Sequence, residues 1–244
     1  LAEGLITHIE RHQVDVDLAV RQWERYVEVL RRVGWDVIEV PPADDCPDAV
    51  FIEDTVVVRN SIALMTRPGA MPRRPEVSAT REIMSKLGYT IAEVDEPGTL
   101  DGGDVLKIGD RIYVGQGGRS NAEGAQALRA TFGDQGVEVV EVPVRKVLHL
   151  KSGVTALPNG TVVGYEPLVD ERSAFADFMA VPEESGAHVV VVDDKRVIMA
   201  DDAPKTADLY VSMGLKPITV SISEFQKLEG CVTCLSVRLR GVPS

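Results

Sequence analysis

No stretch of this 244-residue chain approaches the roughly 20 consecutive apolar residues that a membrane-spanning helix needs. Leu1 to Arg11 also lack the basic start and apolar block of a secretory leader. The chain opens on Leu rather than Met, so a short preceding piece is expected. Cysteine is scarce: Cys46, Cys231 and Cys234 are too few, and odd in number, for a disulfide framework. A reducing compartment, the cytoplasm, is therefore expected. Positive charge is short as well, with 26 Lys and Arg against 38 Asp and Glu and a net charge of -12. That balance argues against nucleic-acid and anionic-membrane partners and mildly favours a cationic ligand. What is present is apolar residue, 44% of the chain, enough for the core of one large domain or two small ones.

A repeat organises that material. Five times, a Gly precedes a short apolar strand: Gly34 to Val40, Gly88 to Val94, Gly136 to Val142, Gly186 to Val192 and Gly214 to Val220. Glycine suits a helix C-terminus because it takes a left-handed conformation without strain. Helical spacing precedes several of these glycines, as at Val20, Trp23, Val27 and Leu30, and at Ile83 and Leu87. Hairpin-like pairs accompany the strands: Val50 to Val58 with Ser61 to Thr66, Val105 to Ile108 with Arg111 to Gly115, and Lys151 to Leu157 with Thr161 to Tyr165. Their connections carry turn residues. A shorter unit turns at Asp193 to Arg196 into Val197 to Ala200, and the last ends in Cys231 to Arg240. The Gly-to-Gly steps of 54, 48, 50 and 28 residues suggest a radial or stacked array. Five units closing on themselves would make an α/β propeller with a polar central channel, its fifth unit completed by a strand preceding Leu1. An ordinary α/β domain, in which helix, Gly and strand recur because that connection is common, is the alternative.

Few residues suit chemistry. Cys231-Val232-Thr233-Cys234 is a lone CxxC with no second pair to complete a zinc site. It runs into the alternating Leu235 to Leu239, and residues three apart on a strand point to opposite faces. One functional and one packed cysteine are expected. His149 sits in an apolar segment, where a histidine is commonly a satisfied core residue. His8 and His12 are four apart but lack a third metal ligand, and His188 reads as structural. Glu53 and Asp54 are adjacent carboxylates inside the apolar run Val50 to Val58, a costly placement unless they meet a cation. In a regular strand they would face opposite ways, so both reach one ligand only if the strand ends or bulges there. Asp101-Gly102-Gly103-Asp104 repeats the pattern of acids before a strand. The loops around Arg73 and Arg119 could clamp a carboxylate with the planar guanidinium fork.

Jointly, and in this order, several motifs resemble the dimethylarginine dimethylaminohydrolases of the guanidino-modifying, amidinotransferase-like superfamily. They are Pro47 to Asp54, Thr66 to Ala70 with Arg73, Leu100 to Val105, Arg119-Ser120-Asn121, Val147 to Ser152 and Gly230 to Ser236. The resemblance runs from about Leu1 to Arg240 and implies a single catalytic domain with the five-unit αβ-propeller (pentein) fold. It implies Cys234 as nucleophile, His149 as general acid and base, and Asp101 as the group orienting His149. It implies Asp54 with Glu53 as holders of a guanidinium, and Arg73 and Arg119 as binders of the substrate carboxylate. Asp48 and the Leu5 and Leu228 main chains would meet the α-amino end, and Cys231 has no implied role. The substrate would be Nω-methylated arginine, hydrolysed to citrulline and an alkylamine through a covalent thiouronium adduct, with no cofactor or metal. A homodimer is left open.

The closest rivals are arginine and agmatine deiminases. Their superfamily pattern places an Asp two residues after the histidine, where this chain has Lys151. Losing that acid leaves room for N-methyl groups. Agmatine also lacks the carboxylate that Arg73 and Arg119 would clamp. A non-catalytic binding propeller and a CxxC redox or zinc protein are rivals of other classes.

Overall fold

A computed structural model describes residues 1–241 and 243. Its strands fall into four three-stranded sheets of one design. The first holds β1 (Val56–Arg59), β2 (Ile62–Met65) and β3 (Thr90–Glu93), and the second β4 (Val105–Ile108), β5 (Arg111–Gln116) and β6 (Glu138–Pro143). The third holds β7 (Val154–Ala156), β8 (Val162–Gly164) and β9 (Phe178–Ala180), and the fourth β10 (Val190–Val191), β11 (Arg196–Ala200) and β12 (Lys216–Val220). In each sheet the first two strands pair antiparallel and the third joins the second in parallel.

That connectivity follows from the local sequence. A tight turn suffices between antiparallel strands, as where Asn60 takes a φ of 50° between β1 and β2. A parallel partner needs a longer crossover, usually a helix. α2 (Val77–Lys86), α3 (Ala122–Phe132) and α4 (Pro204–Ser212) supply three of these crossovers. Gly88 and Gly214, at φ 83° and 84°, turn the chain from α2 and α4 toward β3 and β12. The third unit crosses through short 3-10 turns at Glu166–Leu168 and Arg172–Ala174 instead.

The remaining place in the ring is filled by α1 (Val16–Arg32), the short α5 (Ser223–Gln226) and the 231–240 segment. Asp15 caps α1 by accepting the Leu18 amide, and the helix buries Ala19, Gln22, Tyr26, Val27, Val29 and Leu30. Apolar side chains gather in five clusters around the ring, each between neighbouring units. The cluster of Val56, Met65 and Tyr89 includes Val237 and Leu239, and the cluster of Tyr26 and Leu30 reaches Ile198 and Val220. The 231–240 region thereby joins the fourth sheet to the first and closes the αβ propeller.

Several expectations shift. Gly34 to Val40 and Cys231 to Arg240 form no named strand, because no described segment offers them a hydrogen-bonding ladder. Gly186 opens no helix-to-strand step: it lies in a 3-10 turn, and β10 after it is the inner strand of the next unit. The true third strand of the preceding unit, β9, lies earlier and pairs with β8. The stripe on α1 is rotated as well, for Val20 stands exposed while Tyr26 is fully buried. Among the described residues, no helix is long and apolar enough to cross a membrane.

Candidate active site

The inner strands leave a central channel that side chains divide into two cavities. Where the sequence enters β1, a 3-10 turn, Ile52–Thr55, breaks the extended run. Its consequence is that Glu53 and Asp54, both buried, lie on opposite sides of the divide. Asp54 lines a small cavity with Leu5, Asp48, Phe51, Arg73, Arg119, Leu148, His149, Leu228, Glu229, Gly230 and Cys234. Its free interior is about 10 Å³, room for roughly one water molecule.

His149 is the centre of this group. It precedes a 3-10 turn whose first amide, Leu150, donates to Asp104 Oδ1 at 2.9 Å. Asp104 Oδ2 in turn accepts from Ser120 Oγ at 2.6 Å, so a wholly buried acid fixes the histidine loop. The His149 ring places Nε2 3.0 Å from Asp101 Oδ2 and Nδ1 3.9 Å from Asp54 Oδ1. Asp101 is itself fixed, its other oxygen accepting the Gly69 amide at 2.8 Å. Gly103 permits the approach: a Cβ there would stand 2.6 Å from His149 Nδ1 and 2.7 Å from Asp54 Oδ1. Burial alone would lower the His149 pKa, but the Asp54 charge and the hydrogen bond with Asp101 outweigh it and raise the group to about 9. At neutral pH the ring is an imidazolium between two carboxylates.

Asp54 accepts the Gly103 amide at 2.8 Å and Arg73 Nη1 at 2.6 Å. Burial would raise its pKa, yet the charges of His149 and Arg73 hold the carboxyl well below the usual range. Arg73 is committed to the protein. Its Nε and Nη2 donate to Glu76, Nη2 also approaches the Asp48 and Phe51 carbonyls, and Nη1 reaches Asp54. Of its five N–H groups, little is left for a ligand. Arg119 differs: its Nη1 is 3.5 Å from Asp101 Oδ2 and, among the described residues, buried without a hydrogen-bond partner. Asp48 accepts the Leu5 amide through both oxygens, at 3.0 and 3.2 Å, drawing the N-terminal segment over the cavity. Glu229 holds the same segment by accepting the Thr7 and His8 amides.

Cys234 lines the cavity from a turn, not a strand. Its amide donates to the Cys231 carbonyl at 3.1 Å, and the two sulfurs stand 3.3 Å apart. The expectation that the thiols point to opposite faces fails because residues 232–235 turn. The hydrogen bond from Cys234 lowers the Cys231 thiol pKa, whereas the same bond, burial and the charge on Cys231 hold Cys234 well above its ordinary value.

Of the residues expected at the site, Leu5, Asp48, Asp54, Arg73, Arg119, His149, Leu228 and Cys234 line one cavity, and Asp101 supports it through His149. Glu53 does not join them. Its Oε1 is 2.6 Å from Lys151 Nζ and 2.5 Å from Arg238 Nη2, on the other side of the divide. Phe51, Leu148, Glu229 and Gly230 line the cavity without having been anticipated. Glu229 carried a faint signal, an acid before Gly230 ahead of the cysteines, but its φ of 60° is invisible in sequence. His188 Nε2 donates to the Ser152 carbonyl at 2.8 Å, and the ring is buried. His8 and His12 are exposed on irregular chain. Asp54, Asp101 and His149 do bring one potential metal-ligand atom each within 4.8 Å of one another.

No protein-family model matches the chain. Among curated proteins it is 62% identical over 240 residues to the N(G),N(G)-dimethylarginine dimethylaminohydrolase of Streptomyces coelicolor, covering 98% of this chain and 93% of that one. It is 33% identical over 243 residues to the enzyme of the same name from Pseudomonas aeruginosa, with 98% and 94% covered. A solved structure of the Pseudomonas aeruginosa protein, a cysteine-to-serine mutant complexed with citrulline, superposes with a TM-score of 0.90 at 32% identity, covering 98% of this chain and 94% of that one.

Proposed function

The chain belongs to the dimethylarginine dimethylaminohydrolase family, and from that premise we propose that it hydrolyses Nω-methylated arginine to citrulline and an alkylamine. The observation that carries this reading is the small cavity lined together by Cys234, His149, Asp54 and Arg119.

Asp54 receives the edge of the substrate guanidinium and fixes its plane beside Cys234. Such positioning can supply about 7 to 11 kcal/mol of a barrier. The bound guanidinium cation favours the thiolate of Cys234, whose proton passes to solvent, and the sulfur adds to the guanidinium carbon, forming a C–S bond. His149, protonated and held by Asp101, donates its proton to the departing dimethylamine or methylamine, and the C–N bond breaks. The neutral imidazole then takes a proton from water, whose oxygen attacks the thiouronium carbon. Collapse releases citrulline and returns the sulfur. A positioned acid and base of this kind contributes about 100- to 10,000-fold.

Arg119, whose Nη1 has no hydrogen-bond partner among the described residues, takes the α-carboxylate, while Arg73 braces Asp54 and Glu76. Asp48 and the Leu5 and Leu228 main chains face the α-amino end. The N-terminal segment tied by Asp48 and Glu229 must swing aside to admit a substrate, since the cavity holds about one water. Lys151, which stands where the deiminases have an acid, turns to Glu53 and away from the guanidinium. That leaves the face of the terminal nitrogens free of a second carboxylate and supports methylated arginine over arginine.

The test is citrulline and dimethylamine formation from asymmetric dimethylarginine. Cys234→Ser should lower kcat by at least about 1,000-fold, in line with loss of a nucleophile. Release of ammonia from unmethylated arginine at a comparable kcat/KM would instead favour a deiminase.

A further inference from the structure

Cys231 takes no part in the reaction above, yet its sulfur touches the nucleophile. The 3.3 Å separation is built in. The Val232 carbonyl accepts from Tyr26 Oη at 2.9 Å, the Thr233 carbonyl accepts from Arg238 Nη1 at 2.6 Å, and the Cys234 amide closes the turn on Cys231. A hydrogen-bonded turn of this length keeps its end Cα atoms within about 7 Å, inside or near the range that a disulfide spans. Rotation of the two side chains would bring the sulfurs to bonding distance of about 2.05 Å without rebuilding the backbone. Of the two, Cys234 alone lines the cavity, and that space fits a molecule the size of water. Hydrogen peroxide, the smallest hydroperoxide, requires the least widening of that space. Cys46, the third thiol, lies apart, its sulfur 3.9 Å from the Pro72 carbonyl.

We propose that Cys231 and Cys234 form a thiol–disulfide modification site that takes a hydroperoxide as oxidant, with Cys231 as the resolving thiol. Either sulfur can hold the hydrogen between them, and with it on Cys231 the thiolate is on Cys234, the sulfur at the cavity. That thiolate attacks one peroxide oxygen; the O–O bond breaks and hydroxide leaves, giving a sulfenic acid on Cys234. The Cys231 sulfur, losing its proton, attacks the sulfenic sulfur; the S–S bond forms and a second hydroxide leaves. The two hydroxides take up the two thiol protons as water, so two thiols and one peroxide give one disulfide and two waters. The nucleophile is then blocked. A dithiol reverses the step by supplying two electrons and two protons. Loss of turnover on oxidation rests on the function proposed above; the covalent chemistry does not.

The experiment treats the full chain with hydrogen peroxide, alkylates remaining thiols under denaturing conditions, and reads intact mass, a map of the cysteine peptides and dimethylarginine turnover. The expected result is loss of two hydrogens with Cys231 linked to Cys234, Cys46 still alkylated, and turnover lost and then restored by dithiothreitol. In Cys231→Ser and Cys231→Ala, Cys234 should instead gain two oxygens as sulfinic acid, and dithiothreitol should not reverse that. Sulfinic acid on Cys234 in the unsubstituted chain, or equal recovery with and without Cys231, overturns the proposal. If the disulfide forms but untreated protein shows no turnover of methylated arginine, the proposed function fails and the modification site stands.

Discussion

The two ends of the central channel are built from the same inner segments and have opposite characters. Beyond the divide lies a cavity of about 600 Å³, lined by residues of β1, β4, β7 and β10 and of the 231–240 region. Arg59, Lys107, Lys151, Arg238 and Arg240 line it with Glu53 as their acid. On the near side the cavity is closed to about 10 Å³, and its acids, Asp48, Asp54 and the supporting Asp101, converge on His149 and Arg73. In the wide cavity Glu53 is committed to Lys151 and Arg238, and burial with cationic neighbours presses the Lys107 pKa down to about 7. The difference lies in grouping: only the small cavity brings a thiol, an imidazole and a carboxylate together, and the proposed chemistry needs all three.

The largest way to test that contrast is to remove the imidazole. His149→Gln should cut kcat about 100- to 10,000-fold with the fold retained, as read by steady-state kinetics and circular dichroism. Next come the adjacent acids. Asp54→Asn, on the closed side, should lower kcat/KM about 100-fold, the effect of losing a charge-assisted hydrogen bond of about 2 to 3 kcal/mol. Glu53→Gln should change KM less than about threefold but lower stability by about 3 kcal/mol, because Lys151 and Arg238 lose their shared carboxylate. Denaturant unfolding and kinetics on the two variants separate these outcomes; an equal rise in KM would place Glu53 at the guanidinium after all.

A pH series sharpens the contrast further. The His149 pKa in the fold is raised above its unfolded value of about 6.5. Its contribution to stability is therefore complete below about 6.5 and is lost as pH rises through about 9. Turnover should fall across the same upper limit as the proton for the leaving amine is lost. His149→Gln should show a flatter stability profile between pH 6 and about 10, measured by unfolding. The smallest effect on turnover is expected in the wide cavity: Lys107→Met, which removes a cation that burial and its neighbours disfavour, should leave kcat/KM unchanged.

Much of this was readable in sequence because it depended on local periodicity. The hairpins of β1 with β2, β4 with β5 and β7 with β8 fall where turn residues separate apolar runs. Gly88 and Gly214 take the left-handed backbone expected of glycines that follow helices. Gly186 misled because a glycine preceding an apolar run serves an inner strand as readily as an outer one, and only pairing partners tell them apart. Pairing is a long-range fact, absent from spacing.

The sequence by itself determined the repeat, the inventory of reactive side chains and, through motifs in a shared order, the family resemblance, since these are properties of neighbours along the chain. Tertiary structure alone decided which way each side chain faced. One short 3-10 turn sends Glu53 to a channel of cations and Asp54 to the histidine. One tight turn brings Cys231 onto Cys234 where an extended strand would have parted them. The reason is geometric: alternation predicts facing only while the backbone stays extended, and in both places the ring's packing bends it.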